Sequence, residues 1–290
     1  MNPAASVIVF TVFSGMGFGG LAFLGLGFPV PSGWMAFWHW GLGYGLAVGG
    51  LTASAFHLGN PNRALLAFSQ WRSSWLSREA WASVAALVVL APVALSDWLG
   101  LGWWRGFGVL GAVLCLGTVV ATSMIYAQLK TIPRWNNWIT PVLFLGFMLA
   151  GGAILTGNFV AVPLCLGLGV ALVLGFRIGD RRFKDVGQTI GKATGLDFIG
   201  EVSVFELPHT GQNYLLREMI YVVARRHVVK LRWIAVGCAA VLPAVLLLVL
   251  PAHPVVFGVA AGVHVLGTLA ARWLFFAEAE HVVGLYYGKR

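Results

Sequence analysis

The chain has 290 residues, of which 59% are hydrophobic and only 10% are charged, and its mean hydropathy is +0.83. Because soluble domains carry roughly 25% charged residues, this composition excludes a soluble globular protein. The formal net charge is +9, and the positions of the basic residues decide whether this excess serves a polyanionic partner or membrane topology.

Eight apolar runs are each long enough to cross the hydrocarbon core as a helix, which takes about 20 residues. None of them alternates apolar and polar residues, as the ~10-residue strands of a membrane barrel do. The sequence therefore predicts an all-α integral membrane protein, a bundle of eight transmembrane helices that forms a single domain over 1–290. The predicted spans lie near 5–29, 34–56, 78–96, 105–128, 138–156, 159–176, 231–251 and 254–276.

The first run is predicted to remain as a transmembrane helix, because no basic segment precedes it and no small-residue cleavage site follows it. Residues 15–20 (GMGFGG) satisfy the G-x-G-x-x-G pattern of dinucleotide sites, but no βαβ unit surrounds them. Gly15 and Gly19 also form a GxxxG pair, which lets another helix approach closely. We interpret this pair as a packing motif.

Polar residues collect where the second and third runs meet, in AFHLGNPNRA (55–64) and SREAW (77–81). A structural interpretation is that Ser77 caps the third helix and Glu79 lies in its first turn, where the helix dipole favours an anion by roughly 0.3–1 kcal/mol. The functional interpretation is a quinone pocket. A quinone head needs an apolar slot, hydrogen bonds to two carbonyls and a group that exchanges protons, and histidine and a partly buried carboxylate suit that task. The candidate residues are His57, Gly59, Arg63, Ser77, Arg78 and Glu79.

Metal and haem chemistry have little support in the remaining runs. Cys115, Cys165 and Cys238 lie singly in apolar segments, without a CxxC motif or a disulfide framework. Haem b would need two histidines at matched depth, and His264 is the only histidine well inside a predicted span. We therefore predict no haem and no metal in this chain.

A transporter that moves ions needs ionisable groups along its path through the bilayer. No acidic residue lies in the middle of a predicted span, and Glu79 and Asp97 lie at opposite ends of the third one. This disfavours a proton pump or a multi-ion symporter. A polytopic transporter of another kind, or a non-redox membrane scaffold, remains the alternative function.

The basic residues predict the orientation. With eight spans, both termini share one side of the membrane with the loops at 57–77, 129–137 and 177–230, and all of the 19 Lys and Arg residues except Arg105 fall on that side. Cytoplasmic loops carry the excess of Lys and Arg. We therefore predict cytoplasmic termini in a bacterial cytoplasmic (inner) membrane. The net charge then reflects insertion in the lipid bilayer, and no nucleic-acid partner is predicted.

The segment 177–230 is the only extended polar stretch and is predicted to be a cytoplasmic loop. One interpretation is a surface that packs on a partner, and the other is a solvated loop that touches acidic lipid. The first rests on apolar residues between its charges: Phe183, Phe198, Phe205, Leu207 and Tyr214.

The motif F-H-L-G-x-P-x-R-A at 56–64, followed by S-W-L-S-R-E at 74–79, resembles the DMSO reductase membrane anchor subunit family, the eight-helix C subunits of molybdenum oxidoreductases. The resemblance implies a quinone site at His57, Gly59, Arg63 and Glu79. It also implies partners: a molybdopterin catalytic subunit, a four-cluster iron–sulfur subunit that contacts the inner loops, and the menaquinone or ubiquinone pool.

The resemblance leaves the direction of electron flow open. Relatives serve reductases that oxidise quinol and sulfite dehydrogenases that reduce quinone. The segment 124–138 (MIYAQLKTIPRWNNW) is similar to the sulfite-oxidising relatives. Substrate choice belongs to the molybdenum subunit, which is a separate chain.

Overall fold

The computed structural model describes residues 3–56, 60–103, 105–209, 211, 213–220 and 227–288. Every regular element in these ranges is helical, so the all-α prediction is confirmed. In chain order the α-helices are α1 (Ala5–Leu26), α2 (Gly33–Ala55), α3 (Trp75–Leu99), α4 (Gly106–Ala127), α5 (Ile139–Leu155), α6 (Ala161–Val186), α7 (Ile190–Thr194), α8 (Tyr214–Glu218), α9 (Val228–Val236), α10 (Leu242–Val249) and α11 (Pro254–Ala277). A π-helical turn (Gly237–Val241) joins α9 to α10, and 3₁₀ helices cover Pro61–Phe68 and Val282–Tyr287.

Within the described ranges, six helical segments are long and apolar enough to cross a membrane: α1, α3, α4, α6, the continuous Val228–Val249 helix and α11. The other two predicted spans also form helices but fall short of this standard. α2 is rich in glycine and tryptophan, which lowers its hydropathy, and α5 has only 17 residues. The count of eight membrane spans is therefore not confirmed.

α1 lies at the centre of the bundle, where it packs against α2, α4 and α5. Small residues allow this packing. A Cβ atom at Gly19 would lie 2.0 Å from the carbonyl oxygen of Met148 on α5, and one at Gly25 would lie 2.6 Å from that of Gly108 on α4. Gly15 has no such neighbour within 4 Å. The packing interpretation of the GxxxG pair is therefore correct for Gly19 and wrong for Gly15, which borders a small cavity instead.

Four charged residues join helix ends on one side of the bundle, which we call the Glu278 end. Arg134 and Arg232 each contact both Asp180 and Glu278. The Nε atom of Arg232 lies 2.7 Å from Glu278, and its Nη2 atom lies 2.6 Å from Asp180. These ion pairs connect the segment before α5 with the ends of α6 and α11 and the start of α9.

A second ion pair marks the opposite end of the bundle. Nη2 of Arg105 lies 2.7 Å from Oδ1 of Asp97, and the indole of Trp40 donates to Oδ2 of Asp97 over 3.0 Å. This contact joins α2, the end of α3 and the residue before α4. Asp97 is thus paired at a helix terminus, far along α3 from Glu79.

The polar segment predicted at 177–230 begins later than expected. α6 continues to Val186, and the Phe183 side chain is buried on this extension. The extension stays helical because it places Gly179 and Phe183, four residues apart, on the face that meets the bundle. α9 begins at Val228. Between these helices, Phe198, Phe205, Leu207 and Tyr214 are exposed, as a partner-binding surface requires.

Candidate functional site

Glu79 lies deeper in the structure than the sequence interpretation placed it. α3 begins at Trp75 after Ser74, so Glu79 is in its second turn, and the first turn contains no acidic residue. Ser77 lies inside the helix and does not cap it. The capping and helix-dipole interpretation of these two residues is therefore wrong, because the helix starts earlier than predicted. The Glu79 side chain is only 3% exposed.

The Glu79 carboxyl group is held by a hydroxyl from α4. The Thr122 oxygen lies 2.5 Å from Oε1 of Glu79 and 3.0 Å from the carbonyl oxygen of Thr118. A threonine hydroxyl has one hydrogen and two acceptor lone pairs. It donates to Glu79 when the carboxylate is ionised. When Glu79 is protonated, Thr122 accepts from the acid and donates to Thr118. Thr122 can therefore form a hydrogen bond with Glu79 whether the carboxyl group is ionised or protonated.

A buried cation lies on α11, across the bundle from α3. Arg272 is 3% exposed, and its guanidinium carbon lies 3.5 Å from the ring centroid of Phe144 and 5.0 Å from that of Phe147. Such contacts favour a cation over the ring face. Within the described part of the chain, Nε of Arg272 is buried without a hydrogen-bond partner. Tyr126 on α4 is within electrostatic range of both Glu79 and Arg272.

A narrow cavity borders both Thr122 and Arg272. It has a volume of about 10 Å³, and its polar lining residues include Thr122 and Arg272 together with Ser14, His264 and Thr268. A space of this size is at the lower limit for one water molecule. His264 is 2% exposed, and its Nδ1 atom lies 2.7 Å from the carbonyl oxygen of Ala239 in the π-helical turn. The bundle interior therefore contains a polar cluster as well as apolar packing.

Ser77 and Arg78 organise the backbone that precedes Glu79. The Ser77 hydroxyl donates to the carbonyl oxygen of Ala67 and accepts from the Gln70 amide over 3.2 Å, so it fastens the Pro61–Phe68 helix to α3. The Arg78 guanidinium donates to the carbonyl oxygens of Trp71 and Arg72 over 3.0 and 2.7 Å. Both side chains therefore hold the turn between the 3₁₀ helix and α3.

The predicted site residues are only partly brought together. Ser77, Arg78 and Glu79 share the beginning of α3 but point to different neighbours. Arg63 is exposed on the 3₁₀ helix that Ser77 fastens to α3. His57 and Gly59 lie outside the described residues. Among the residues that are described, no group of three or more His, Cys, Asp and Glu side chains could hold a metal ion.

Comparison with known proteins identifies the family. The model of the DMSO reductase anchor subunit (DmsC) family matches residues 1–163. The chain belongs to the DMSO reductase anchor subunit family. It is also similar to the sulfite dehydrogenase C subunit of Allochromatium vinosum, with 30% identity over 274 residues that cover 83% of this chain and 82% of the relative. No solved structure matches the chain.

Family membership confirms the resemblance found at residues 56–79. It makes the chain a membrane anchor subunit of the DMSO reductase type, and this assignment replaces the transporter and scaffold alternatives. The region matched by the family model contains Glu79, Thr122 and Tyr126. Arg272 and His264 lie beyond the matched region, in the second half of the chain.

Sequence reasoning missed three members of the buried cluster: Thr122, Tyr126 and Arg272. A signal existed for Arg272, because it lies inside a predicted span and an ionisable residue within the bilayer indicates function. It was counted instead with the basic residues of the cytoplasmic face. Thr122 gave no comparable signal, since small hydroxyl residues are ordinary in helices that pack closely in membranes.

Proposed function

We propose that this anchor subunit binds quinone near the start of α3 and exchanges electrons between the quinone pool and an iron–sulfur subunit. The quinone is menaquinone or ubiquinone, and the iron–sulfur subunit holds four clusters and serves a molybdopterin catalytic subunit. The observation that carries the proposal is the Glu79 carboxyl group, buried one turn into α3, with a Thr122 hydroxyl that supports both of its protonation states.

The segment that precedes α3 has the composition of a quinone slot. Arg63 supplies a hydrogen-bond donor on the 3₁₀ helix, and His57 and Gly59 come just before that helix in the sequence. Large apolar side chains are exposed along the described part of the segment between α2 and α3, as an isoprenoid tail requires: Phe56, Leu65, Leu66 and Trp71. Ser77 and Arg78 fix the position of the slot relative to α3.

The proposed roles account for both electrons and both protons of the quinone reaction. Oxidation of one quinol releases two electrons and two protons. The electrons pass to the iron–sulfur subunit, and the protons pass to the Glu79 carboxylate and the His57 imidazole. Quinone reduction is the reverse. The relative's name, sulfite dehydrogenase, supports a complex in which this chain reduces quinone, and the family name supports a reductase that oxidises quinol.

The partner surface is proposed to lie on the segment between α6 and α9. Phe198, Ile199 and Phe205 are exposed there, the last of them completely. His209 lies 3.1 Å from the Tyr287 hydroxyl, which ties this segment to the 3₁₀ helix at the C-terminal end. Exposed aromatic residues on an anchored segment are typical of a protein interface.

The proposed location is the bacterial cytoplasmic membrane, with the termini and the Glu278 end in the cytoplasm. The concentration of Lys and Arg on that side supports this orientation. A reporter enzyme fused after the last residue tests it. Activity of a cytoplasm-specific reporter is expected, and activity of a periplasm-specific reporter would reverse the assignment.

The quinone site is tested with the assembled complex carrying Glu79→Gln or His57→Ala. Either change should lower quinone-linked turnover by roughly 10²-fold or more, since general acid and base groups contribute that much. Subunit assembly and turnover with soluble artificial electron carriers should persist. Asp185→Asn, which removes an exposed carboxylate at the end of α6, serves as the control. Unchanged quinone-linked turnover in both site variants would place the quinone site elsewhere.

A further inference from the structure

Two ionisable side chains are buried in this bundle without an ion pair between them in the described part of the chain. Glu79 and Arg272 are each 3% exposed. Burying a charge is costly unless another charge or hydrogen bonds compensate it. The aromatic faces of Phe144 and Phe147 compensate Arg272 only in part. Neither group is needed to fill space, because apolar side chains would pack as well.

Arg272 and the hydrogen-bond partner of Glu79 share one small cavity. Thr122, which bonds to Glu79, and Arg272 both line it. The Nε atom of Arg272 is a buried donor that lacks a protein partner within the described ranges. A bound water needs two to four polar partners. One water in this cavity would therefore join the Thr122 hydroxyl to the guanidinium group.

A second cavity lies between the first cavity's Arg272 and the Glu278 end. It has a volume of about 50 Å³, and its lining includes Arg272, Thr140, Arg134 and Glu278. Asp180, which bonds to Arg134 and Arg232, is half-exposed. Water that reaches this end of the bundle thus comes within one side chain, that of Arg272, of the cavity beside Thr122.

We propose that Arg272 is the buried counter-ion of Glu79 and, through Thr122 and a water in the shared cavity, sets the proton affinity of the quinone site. The inference rests on the proposed function of Glu79. In low-dielectric surroundings, attraction between charges persists over several ångströms, and Tyr126 lies within electrostatic range of both side chains. Arg272 is a positioning residue in this scheme, because an arginine does not give up its own proton.

The other ionisable groups around α3 are fewer and are otherwise engaged. Tyr44 on α2 donates to the carbonyl oxygen of Leu87, and Arg78 bonds to the turn before α3. α1 has no ionisable side chain. The remaining groups on elements packed against α3 are His39 on α2, Cys115 and Tyr126 on α4, Arg63 on the 3₁₀ helix and Arg72 in the turn that follows it. Among the described residues, Arg272 is therefore the buried cation that shares a cavity with Thr122, the hydrogen-bond partner of Glu79.

The experiment measures quinone-linked turnover of the assembled complex as a function of pH. One limb of the pH profile, a rise or fall of turnover with pH, reflects the titration of Glu79. It is identified as the limb that is absent in Glu79→Gln. Removing a nearby cation makes a carboxylate harder to form, so Arg272→Met should move this limb to higher pH by about one unit. Arg272→Lys keeps the charge and should leave the limb close to its original position.

The Thr122 variants give an independent reading if Arg272→Met fails to assemble. Thr122→Val removes the donor to the ionised carboxylate and should move the limb in the same direction, while Thr122→Ser should restore it. Thr156→Val is the matched control, since Thr156 is also buried and bonded to carbonyl oxygens of its own helix but lines neither cavity.

A second readout does not depend on turnover. Infrared difference spectra of the complex record the band of protonated Glu79, assigned by its absence in Glu79→Gln, and its titration should shift as the turnover limb does. If the limb and the band stay fixed in Arg272→Met and Thr122→Val while Glu79→Gln abolishes turnover, the counter-ion proposal fails and the quinone site stands. If Glu79→Gln leaves turnover intact, the proposed function itself fails.

Discussion

Replacing Gly19 with alanine tests how closely α1 and α5 pack. The added Cβ would lie 2.0 Å from the Met148 carbonyl oxygen and 3.0 Å from the Gly152 Cα. Both neighbours are backbone atoms, so no side-chain rotation relieves the clash. The helices would have to separate by roughly 1.4 Å to restore an ordinary contact, which disturbs a core packed without spare volume. Overpacking of this kind costs roughly 1–3 kcal/mol.

Gly15→Ala is the matched control, because it lies one turn earlier on the same helix and no other part of the described structure comes within 4 Å of the new methyl group. It should be neutral or stabilising by roughly 0.5–1 kcal/mol, as alanine is favoured over glycine in a helix. The two variants should then differ in unfolding temperature by roughly 2–7 °C. Thermal unfolding of the complex in detergent measures this difference. Equal destabilisation by both changes would refute the assignment of the packing face.

Three further predictions concern the Glu278 end and the site turn. Glu278→Gln should lower the free energy of unfolding by roughly 1.5–3 kcal/mol, because the buried Glu278 carboxylate accepts from two guanidinium groups. Asp180→Asn should lower it by less than about 1 kcal/mol, because Asp180 is half-exposed. Equal shifts of the unfolding temperature in the two variants would contradict this prediction. Burial lowers the pKa of His281, whose ring nitrogen accepts from the Val283 amide. As the pH falls below about 6.5, this histidine therefore takes up a proton in the unfolded chain before it does so in the folded chain, and stability declines. His281→Asn should remove this part of the decline. Unfolding measured at several pH values tests it. Ser77→Ala should speed limited proteolysis within residues 69–74, and an unchanged cleavage rate would show that the turn is held by other contacts.

The helices could be predicted because a membrane span must be apolar over a fixed length. The predicted fourth and last spans end within one residue of α4 and α11. The end of α6 could not be predicted by this rule. Its last turns contain Arg177, Asp180 and Lys184, so hydropathy ends there, while the backbone continues as a helix that buries Phe183. Apolar length therefore predicts where a helix lies in the membrane and not where it stops outside it.

The direction in which Glu79 points depended on a boundary that sequence does not fix. A helix that begins at Arg78 places Glu79 in its first turn, near solvent. The observed start at Trp75 places it in the second turn, and each residue of shift rotates a side chain by about 100° around the axis. The residue types at the site could therefore be predicted from the motif, but the partner on α4 could not.

The position of Arg272 shows why the second half of the chain matters to a site in the first half. α11 packs against both α1 and α5, so any residue on its inner face reaches the centre of the bundle. Hydropathy cannot identify that face, because a helix that is apolar all round shows no preferred side. Yet an arginine there is a poor choice for packing alone, since leucine or methionine would fill the same volume without the cost of desolvating a charge. Its presence beside the Thr122 cavity is the reason for proposing that it acts on Glu79, and under that proposal the C-terminal helix takes part in the proton chemistry of the anchor.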